Sequence, residues 1–425
     1  MPARFEGSYY EATARRDRER APLKGDQRFD VCIIGGGYTG LSTALHLRAH
    51  GLRVAVLERE RVGAGASGRN GGQVITGQRV DQDVLEQKLG FEHARALWNL
   101  AQDAKSLVRS LIAHHEIACD LVPGHITAAA KNRHARQLAA YAEHLATRYN
   151  YAAGSFVSRD EMQKLVACDR YYGGYHDTEA FHIHPLAFAI GLARAAETAG
   201  ATIYENSRVI GIDRGKRLRI ATGGGSVDCE FAVVACNGYL GDLVPDIEGR
   251  ILPISNYIVA TEPLDAARAA ALIPSRAAVA DTKFVLDYYR LSADNRLVFG
   301  GGESYGTTPA DIGEFVRPYL ERTFPQLKGV AIDYAWQGTL AITLPRLPHA
   351  GRLGSNLFFA QGYSGQGVAI ATHMGKLIAD TIGGEGENFA VYERLGVPEL
   401  PGGSLLRRPL LTLGMMWYAL RDRLP

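Results

Sequence analysis

The feature that most restricts the fold is a strand, glycine turn, helix and strand pattern within residues 30–73. An apolar run at 31–34 breaks at three glycines, and apolar residues then recur at helical spacing as far as Gly51. A second apolar run at 54–57 ends at an acid, Glu58. These elements at these offsets are the fingerprint of a dinucleotide-binding βαβ unit.

Each residue type in the fingerprint has a physical reason. Gly35 lets the chain turn sharply out of the strand, and Gly37 lets a pyrophosphate approach the backbone. Gly40 lets the helix pack closely against the sheet. The helix N-terminus offers N–H groups and a positive dipole end to phosphates. Glu58 accepts hydrogen bonds from a ribose 2′-hydroxyl and repels a 2′-phosphate.

Composition excludes several classes of protein. The 425 residues are 46% hydrophobic and 22% charged, which is typical of globular proteins long enough for two domains. A net charge of +2 without a basic run argues against nucleic-acid binding. The five cysteines (Cys32, Cys119, Cys168, Cys229 and Cys236) form no CxxC pair, so we expect reduced thiols and a cytoplasmic protein. The N-terminus lacks the apolar core of a signal peptide, and no apolar stretch is long enough to span a bilayer.

The rest of the chain alternates in character. Helical periodicity predicts helices within 81–117, 132–148 and 186–199, and residues 119–131 favour a strand. Residues 250–335 are rich in β-formers and aromatics, with a hairpin signal at Asp294-Asn295. No linker separates these parts. We therefore predict an α/β fold in which a Rossmann-like dinucleotide domain is interleaved with a mostly antiparallel β-sheet substrate domain.

The predicted boundaries follow from these changes of character. The N-terminal segment, 1–28, is expected to be an arm or short helix lying on the surface. The nucleotide-binding domain comprises 29–118, 179–248 and 336–400. The substrate domain comprises 119–178 and 249–335, and 401–425 is a C-terminal helix. This last segment is apolar with basic flanks, and we favour docking on the protein over contact with a membrane.

Two glycine-rich stretches indicate a family. After the strip GAGASGRNGGQ, 63–73, and the turn GYSGQG, 362–367, the sequence resembles the D-amino-acid oxidase-like FAD-dependent oxidoreductases. Their members carry G-x-S-G-R-N-G-G in the first place and a last flavin-contacting turn in the second. Within them the chain is most similar to the gamma-glutamylputrescine oxidase group, through the runs 67–73, 182–185, 286–302, 336–353 and 360–380.

This resemblance implies which residues contact FAD. The ADP half would be held by Gly35, Gly37, Tyr38, Thr39, Gly40, Glu58 and Arg59. The flavin ring and ribityl chain would be lined by Ser67, Gly68, Arg69, Asn70, Gly71, Gly72 and Gln73. Adenine and the ADP moiety would be closed in by Val209, Asn237 and Gly238. The pyrimidine side of the ring would face Gly362, Ser364, Gly365, Gln366, Gly367 and Val368.

Two departures from the family refine the expectation. Relatives that oxidise free amino acids carry W-x-G-L-R-P-x-T, whose arginine clamps the substrate carboxylate. The matching stretch begins at Trp336 and places Leu340 at the arginine position. The substrate should therefore have no carboxylate α to the oxidised amine. Relatives with covalent flavin use a C-terminal cysteine, whereas the last cysteine is Cys236, which predicts non-covalent FAD.

The candidate catalytic residues are those that would surround an aliphatic amine: Trp336, Tyr288, His182 and Lys283. Each has a structural alternative. Trp336 and Tyr288 could simply pack a sheet, and only one of Tyr288 and Tyr289 can face the site because neighbours on a strand point to opposite faces. Lys283 is a candidate to stabilise superoxide during reoxidation, or else a solvated strand-edge lysine.

Two further candidates remain open. His182 and His184 share one face of an extended segment, but no third metal ligand is near, so we predict no metal site. Arg346 could bind a remote acidic group, such as a γ-glutamyl carboxylate, or lie on the surface.

The resemblance implies an FAD-dependent oxidase that transfers a hydride from an aliphatic, γ-glutamylputrescine-like amine to flavin N5. Its reactants would be the amine and O2, and its products an aldehyde, ammonia and H2O2. The main alternative keeps the fold: an FAD-dependent secondary-amine or amino-acid dehydrogenase that passes electrons to a quinone. A nicotinamide-dependent reductase and a non-enzymatic FAD-binding protein are the remaining alternatives.

Overall fold

The computed structural model describes residues 7–16, 18–304 and 308–401. The helices within them are α1 (Tyr9–Thr13), α2 (Tyr38–Ala49), α3 (Gln82–Leu89), α4 (Phe91–His114), α5 (Asn132–Tyr149), α6 (Arg159–Leu165), α7 (Pro185–Thr198), α8 (Pro245–Glu248), α9 (Ala266–Leu272), α10 (Ile312–Thr323), α11 (Gly367–Ile382) and α12 (Phe389–Glu393). In the described part of the chain, no helix has the length and apolar character needed to cross a membrane.

The strands, in chain order, are β1 (Gln27–Arg28), β2 (Val31–Ile34), β3 (Val54–Leu57), β4 (Gln73–Val74), β5 (Val122–Ala128), β6 (Gly154–Val157), β7 (Gly174–His182), β8 (Thr202–Tyr204), β9 (Val209–Asp213), β10 (Leu218–Thr222), β11 (Gly225–Cys229), β12 (Phe231–Val234), β13 (Leu252–Thr261), β14 (Ala278–Asp281), β15 (Tyr288–Leu291), β16 (Leu297–Ser304), β17 (Ile332–Ile342), β18 (His349–Leu353) and β19 (Leu357–Gln361). They form three sheets.

A six-stranded sheet with the order β18-β19-β12-β2-β3-β8 forms the nucleotide-binding domain. Its strands are parallel except the edge strand β18, which pairs antiparallel with β19. Every residue of β2 and β3 is buried, as expected for a parallel sheet covered on both faces. The strands come from four separate parts of the chain, so this domain is assembled from distant segments.

A nine-stranded sheet forms the substrate domain, with the order β17-β13-β16-β15-β14-β5-β7-β4 and β6 paired to β7. All its pairings are antiparallel except that of β14 with β5. A smaller four-stranded sheet, β1-β11-β10-β9, flanks the nucleotide domain. The predicted hairpin at Asp294-Asn295 is present, because β15 and β16 pair antiparallel across it.

The domain boundaries need one adjustment. Strand β17 pairs with β13 along its whole length, from Ile342 opposite Leu252 to Ile332 opposite Thr261. The boundary that we placed between residues 335 and 336 therefore falls inside a strand of the substrate sheet. The predicted C-terminal helix, 401–425, lies outside the described residues except for its first position.

The N-terminal segment, for which we predicted an arm or short helix lying on the surface, contains the short helix α1. The side chains of Tyr9 and Tyr10 on α1 are buried. The Tyr10 ring packs edge-on against Trp336 at 5.2 Å between centroids, and the Tyr9 hydroxyl donates to Asp294 at 2.7 Å. Burial of the two rings, together with these contacts, holds the arm against the substrate sheet.

Candidate active site

The first glycine turn joins β2 to α2 and has the geometry that the sequence predicts. Gly35 has a φ of +114°, a conformation that favours glycine. A Cβ on Gly40 would lie 1.9 Å from the Gly35 carbonyl oxygen, so the helix approaches the turn as closely as a glycine allows. The Glu58 carboxylate accepts from Gly36 N at 2.7 Å and from Glu60 N at 2.9 Å. Burial raises the pKa of Glu58, and these two hydrogen bonds oppose the rise.

The strip after β3 is held by its own hydrogen bonds. Ser67 Oγ accepts from Tyr38 N at 3.0 Å, which ties the strip to the start of α2. The Asn70 amide donates to the Ser67 carbonyl at 3.0 Å and accepts from Gly72 N at 2.7 Å. Arg69 Nε donates to a carbonyl of the same strip at 2.8 Å. These hydrogen bonds fix the conformation of the strip.

The second glycine turn lies beside the first. The hydroxyls of Thr39, on α2, and Tyr363, in the second turn, are 2.7 Å apart. Ser364 has a φ of +53°, and its hydroxyl accepts from Thr343 N at 3.2 Å. Gln366, just before α11, donates to the carbonyl of Gly77 at 2.6 Å. The N-termini of α2 and α11 therefore face the same region.

A cavity of about 920 Å³ connects these features. Of the residues predicted to contact the cofactor, its walls include Gly35, Gly37, Tyr38, Thr39, Glu58, Arg59, Ser67, Arg69, Asn70, Gly71, Gln73, Val209, Asn237, Ser364, Gly365, Gln366, Gly367 and Val368. The cavity reaches from the acid at the end of β3 to the sheet of the substrate domain. It is long enough to be lined by both domains.

Five predicted cofactor contacts are not in the cavity wall: Gly40, Gly68, Gly72, Gly238 and Gly362. Each is a point of close packing instead. A Cβ on Gly68 would lie 2.3 Å from the Gly63 carbonyl oxygen, one on Gly72 would lie 2.1 Å from the Ile183 carbonyl oxygen, and one on Gly362 would lie 2.4 Å from the Thr343 side chain. These glycines allow close packing behind the cavity wall.

On the substrate side, Tyr288, Lys283, Leu340 and Arg346 all line the cavity. The Tyr288 hydroxyl donates to the amide oxygen of Asn256 on β13. Its neighbour Tyr289 turns to the other face, where it is buried and stacks on a phenylalanine at 5.7 Å. The alternation of side chains along β15 therefore places Tyr288 in the site.

Lys283 is held by two buried carboxylates. Its Nζ lies 2.7 Å from Asp281 Oδ2 and also bonds Asp287 Oδ2. Burial lowers the pKa of Lys283, but the two carboxylates outweigh burial and raise it above its usual value. Burial raises the pKa of Asp281, and Lys283 opposes that rise. A fixed positive charge consequently faces the cavity, which favours a role for Lys283 there over the alternative of a solvated strand-edge lysine.

A model of the DAO family, described as FAD dependent oxidoreductase, matches residues 30–381. The chain belongs to the DAO family. It is 41% identical over 419 residues to gamma-glutamylputrescine oxidoreductase of Escherichia coli K12, covering 98% of both proteins. It is 38% identical over 418 residues to a probable oxidoreductase of Rhizobium meliloti, covering 98% of this chain and 97% of the relative.

Solved structures of DAO-like enzymes share the fold. Glycine oxidase from Geobacillus kaustophilus superposes with a TM-score of 0.70 at 21% identity, covering 89% of this chain and 97% of that one. L-proline dehydrogenase from P. horikoshii gives a TM-score of 0.70 at 18% identity, covering 85% and 94%. The predicted fold class, the family and its FAD dependence are confirmed, so the chain is an FAD-dependent oxidoreductase.

The side chains of this DAO family member fit FAD at both ends of the cavity. At the α2 N-terminus the N–H groups of Gly37 and Thr39 have no acceptor within the helix, which suits a pyrophosphate, whereas the Tyr38 N–H donates to Ser67 Oγ. Glu58 lies at the same end with its carboxylate fixed by two N–H groups. The N-terminus of α11 suits the negative charge of a reduced flavin. These residues are the ones that would hold FAD.

Two candidate catalytic residues lie outside the cavity wall. Trp336 is buried beneath the strip, with Nε1 3.3 Å from the Arg69 carbonyl oxygen, so its packing role is the one that the structure supports. His182 is buried with Nε2 3.0 Å from the Arg276 carbonyl oxygen. Burial lowers the pKa of His182 to about 3, which keeps the ring neutral. His184 caps α7 by accepting from an N–H at 3.1 Å.

Sequence reasoning missed several polar residues of the cavity wall: Asn256, His125, Thr127, Arg79 and Asp81. Tyr288 and Asn256 are hydrogen-bonded across two strands, which no local motif reveals. The alternating pattern of VPGHITA gave a strand but not the face that meets the cavity. Only the order of strands in the nine-stranded sheet brings these positions together.

Proposed function

We propose that this protein is an oxidase of a primary aliphatic amine that carries a remote acidic group, as γ-glutamylputrescine does. The observation that carries the proposal is Leu340, an apolar side chain in the cavity wall where amino-acid-oxidising relatives have an arginine. A carboxylate beside the reacting carbon would be buried there without a partner, at a cost of several kcal/mol. An uncharged methylene chain incurs no such cost. The 41% identical relative is named for γ-glutamylputrescine, which has this form.

Arg346 supports the remote acidic group. It lines the same cavity, and its guanidinium lies 4.9 Å from the centroid of the Phe284 ring. A guanidinium carries its donors in a planar fork that matches a carboxylate bidentately. We assign Arg346 to the glutamyl carboxylate, at the end of the substrate away from the oxidised carbon.

The proposed reaction converts R–CH2–NH2, O2 and H2O to R–CHO, NH3 and H2O2. FAD, when bound, would supply the acceptor for the hydride of the carbon beside nitrogen and the two electrons that reduce O2. The protein excludes water, orients the neutral amine and supplies the Lys283 charge near the site of oxygen reduction. No general base is required for the hydride transfer itself, since the amine lone pair drives it.

The decisive experiment is anaerobic mixing of the yellow holoenzyme with γ-glutamylputrescine. We expect the flavin absorbance near 450 nm to bleach, whereas free glutamate and glycine leave it unchanged. An unchanged spectrum with γ-glutamylputrescine would reject the substrate. A protein purified without flavin that binds NADH instead would reject the family chemistry altogether.

A second measurement tests the oxidase half of the proposal. In air, one H2O2 should appear for each aldehyde formed, and Lys283→Met should slow flavin reoxidation by O2 much more than flavin reduction by amine. Slow reoxidation in air combined with rapid reoxidation by a quinone would make the protein a dehydrogenase.

We further propose that FAD is bound non-covalently and that the protein is cytoplasmic. All five cysteines are free, which suits a reducing compartment. Cys236 lies at the nucleotide end of the cavity, where the charge of Glu58 acts on it, and burial raises its pKa to about 12. Acid precipitation should release the flavin into the supernatant.

A further inference from the structure

His125 is a buried side chain of the cavity wall to which the proposed reaction gives no role so far. It lies on β5, opposite Asp177 on β7 and Ala278 on β14, and only 4% of its surface is exposed. It shares the wall with Gln73, the last residue of the glycine strip, and with Thr127 two positions further along β5. The ring therefore sits between the strip that would line the flavin and the floor of the substrate cavity.

The hydrogen bonds around Gln73 determine which nitrogen of His125 carries the proton. The Gln73 amide nitrogen donates to the Val279 carbonyl oxygen at 3.1 Å, and a carbonyl oxygen can only accept. This fixes the orientation of the amide, so its oxygen is the atom that lies 3.2 Å from His125 Nε2. That oxygen can only accept, so Nε2 must carry the hydrogen. In the neutral ring Nδ1 then has a free lone pair.

Burial keeps the ring neutral, since it lowers the pKa of His125 to about 4 although Asp177 acts in the opposite direction. Nδ1 makes no hydrogen bond with any described residue, and it is not among the polar atoms that the structure seals away from solvent without a partner. The one polar atom of His125 without a partner is thus an acceptor on a residue that lines the cavity.

Two other acceptor groups on the same floor, those of Asn256 and Asp281, are hydrogen-bonded or sealed from solvent. Asn256 Oδ1 accepts the Tyr288 hydroxyl. Asp281 Oδ1 accepts two backbone N–H groups, from Lys283 and Asp287, both at 3.1 Å. Asp281 Oδ2 faces Lys283 Nζ, and the Asp281 side chain is only 1% exposed.

We propose that His125 Nδ1 accepts a hydrogen bond from the N–H of the substrate amine and orients it for oxidation. An acceptor on an N–H group leaves the nitrogen lone pair free to form the C=N bond as the hydride departs. A neutral acceptor also stabilises the ammonium form, which cannot react, less than a carboxylate in the same place would. This inference rests on the proposed amine substrate and assigns the residue that positions the reacting nitrogen.

A matched pair of substitutions tests the assignment. In His125→Asn the amide oxygen can occupy the place of Nδ1, whereas in His125→Gln the longer amide reaches Gln73 but leaves the Nδ1 position empty. We measure the limiting rate and apparent Kd of anaerobic flavin reduction by γ-glutamylputrescine, with FAD content and melting temperature as folding controls. The ratio of rate to Kd should fall about 10- to 100-fold in His125→Gln and about 3-fold or less in His125→Asn.

A binding measurement without turnover separates positioning from packing. The probe is a γ-glutamyl amine with two methyl groups on the carbon beside nitrogen, which has no hydride to lose. Its Kd, from the shift of the flavin spectrum, should rise in His125→Gln and stay near the wild-type value in His125→Asn. Equal losses in the two variants, or no loss in His125→Gln, would overturn the proposal.

Asp81 is the competing candidate for binding the reacting amine, because it is the exposed carboxylate of the cavity wall on the substrate side. If Asp81→Asn abolishes reduction while His125→Gln retains it, the carboxylate binds the reacting amine and the assignment to His125 fails. If no amine reduces the flavin of the wild-type protein, the proposed amine oxidase function is rejected. That result concerns the wild type alone, so it is distinguishable from a failure of the His125 assignment.

Discussion

Gly37 lies at the end of the cavity that would take the phosphates, and its lack of a side chain leaves space there. Its φ of −93° is available to any residue, so glycine is not required by the backbone. A Cβ would lie 2.8 Å from Ser67 Oγ, the atom that accepts the Tyr38 N–H. We expect Gly37→Ala to displace Ser67 and to weaken FAD binding by about tenfold, or ~1.4 kcal/mol. Titration of the apoprotein with FAD, followed by flavin fluorescence, measures this change.

The control for Gly37→Ala is Gly211→Ala. Gly211 lies on β9, a Cβ added to it would have no neighbouring atom within 4 Å, and its φ is not positive. FAD affinity should be unchanged, and stability should rise slightly because alanine loses less backbone entropy than glycine. Equal FAD affinity in the two variants would show that the contact with Ser67 is dispensable.

Leu340 is the residue from which the substrate class was inferred, and a charge placed there tests the inference. Leu340→Arg should lower the ratio of flavin reduction rate to Kd for γ-glutamylputrescine by at least about tenfold, because a half-buried cation in the place of an apolar side chain costs ~1.4 kcal/mol or more. Leu340→Met, which preserves volume and polarity, should stay within about threefold. Undiminished reduction in Leu340→Arg would mean that the amine binds elsewhere in the cavity.

Single residues were predictable from sequence where a local motif fixes their surroundings. Glu58 at the end of a strand and Gly37 before a helix lie where the fingerprint places them. Trp336 and His182 were harder, because a strand of the substrate sheet has two faces and the sequence does not show which one meets the cavity. His125 belongs to no motif, so its role depends on Gln73, fifty-two positions away along the chain.

Among the elements, the pair α2 and α11 determines how the two glycine turns meet. Gly375 on α11 faces α2 so closely that a Cβ would lie 2.4 Å from the Thr39 carbonyl oxygen and 2.8 Å from Ser42 Cβ. Gly375→Ala should therefore push the helices apart and lower the free energy of unfolding by about 1–3 kcal/mol. FAD binding should weaken too, since both helix N-termini line the cavity. Urea unfolding and FAD titration measure the two effects.

The control lies on the same helix. Lys376 pairs with Asp380 one turn later, and the Lys376 side chain is 38% exposed. Exposed ion pairs contribute little, so Lys376→Ala should change stability by about 0.5 kcal/mol or less. Should Gly375→Ala match Lys376→Ala, the two helices would not be closely packed in solution.

Elements with a clear period were predicted well, and those held by distant partners were not. Periodicity gave α4 and α5, and the turn residues gave the β15–β16 hairpin, because each depends on local sequence. The aromatic residues of α1 were expected on the surface because the polarity of the first 28 residues outweighed two tyrosines. Their burial depends on a hydrogen bond from Tyr9 to Asp294, which is 285 positions away.

For the whole molecule, the interleaving of the two domains was predictable but the exact boundaries were not. Alternation of βαβ and aromatic β segments without a linker indicated that the chain crosses between domains several times. Strand β17 continues from the substrate sheet to the edge of the cavity, so Leu340 belongs to the sheet and also lines the cavity. A change of composition cannot locate a boundary inside a continuous strand.

The molecule as a whole should be sensitive to acid because it buries neutral histidines. Burial lowers the pKa to about 4 in His125, His184, His349 and His373, and to about 3 in His182. The unfolded chain takes up protons near pH 6.5 while the folded chain does not, so stability is full above pH 6.5 and falls as the pH drops towards 4. The raised pKa of buried Asp281 acts in the opposite direction, since it favours the folded state on acidification.

His373 isolates this effect from the active site, because it lies on α11 and outside the cavity wall. Its pKa is lowered first by burial and then by Lys376, while Asp380 opposes and His46 adds to the lowering. Between pH 8 and pH 5, the lowered pKa of His373 should reduce the free energy of unfolding of the wild type by about 2 kcal/mol. His373→Gln should not show this decrease. Urea unfolding of both proteins with saturating FAD should therefore show their stabilities converging, or crossing, on acidification. Parallel stability curves would mean that His373 is protonated in the folded state.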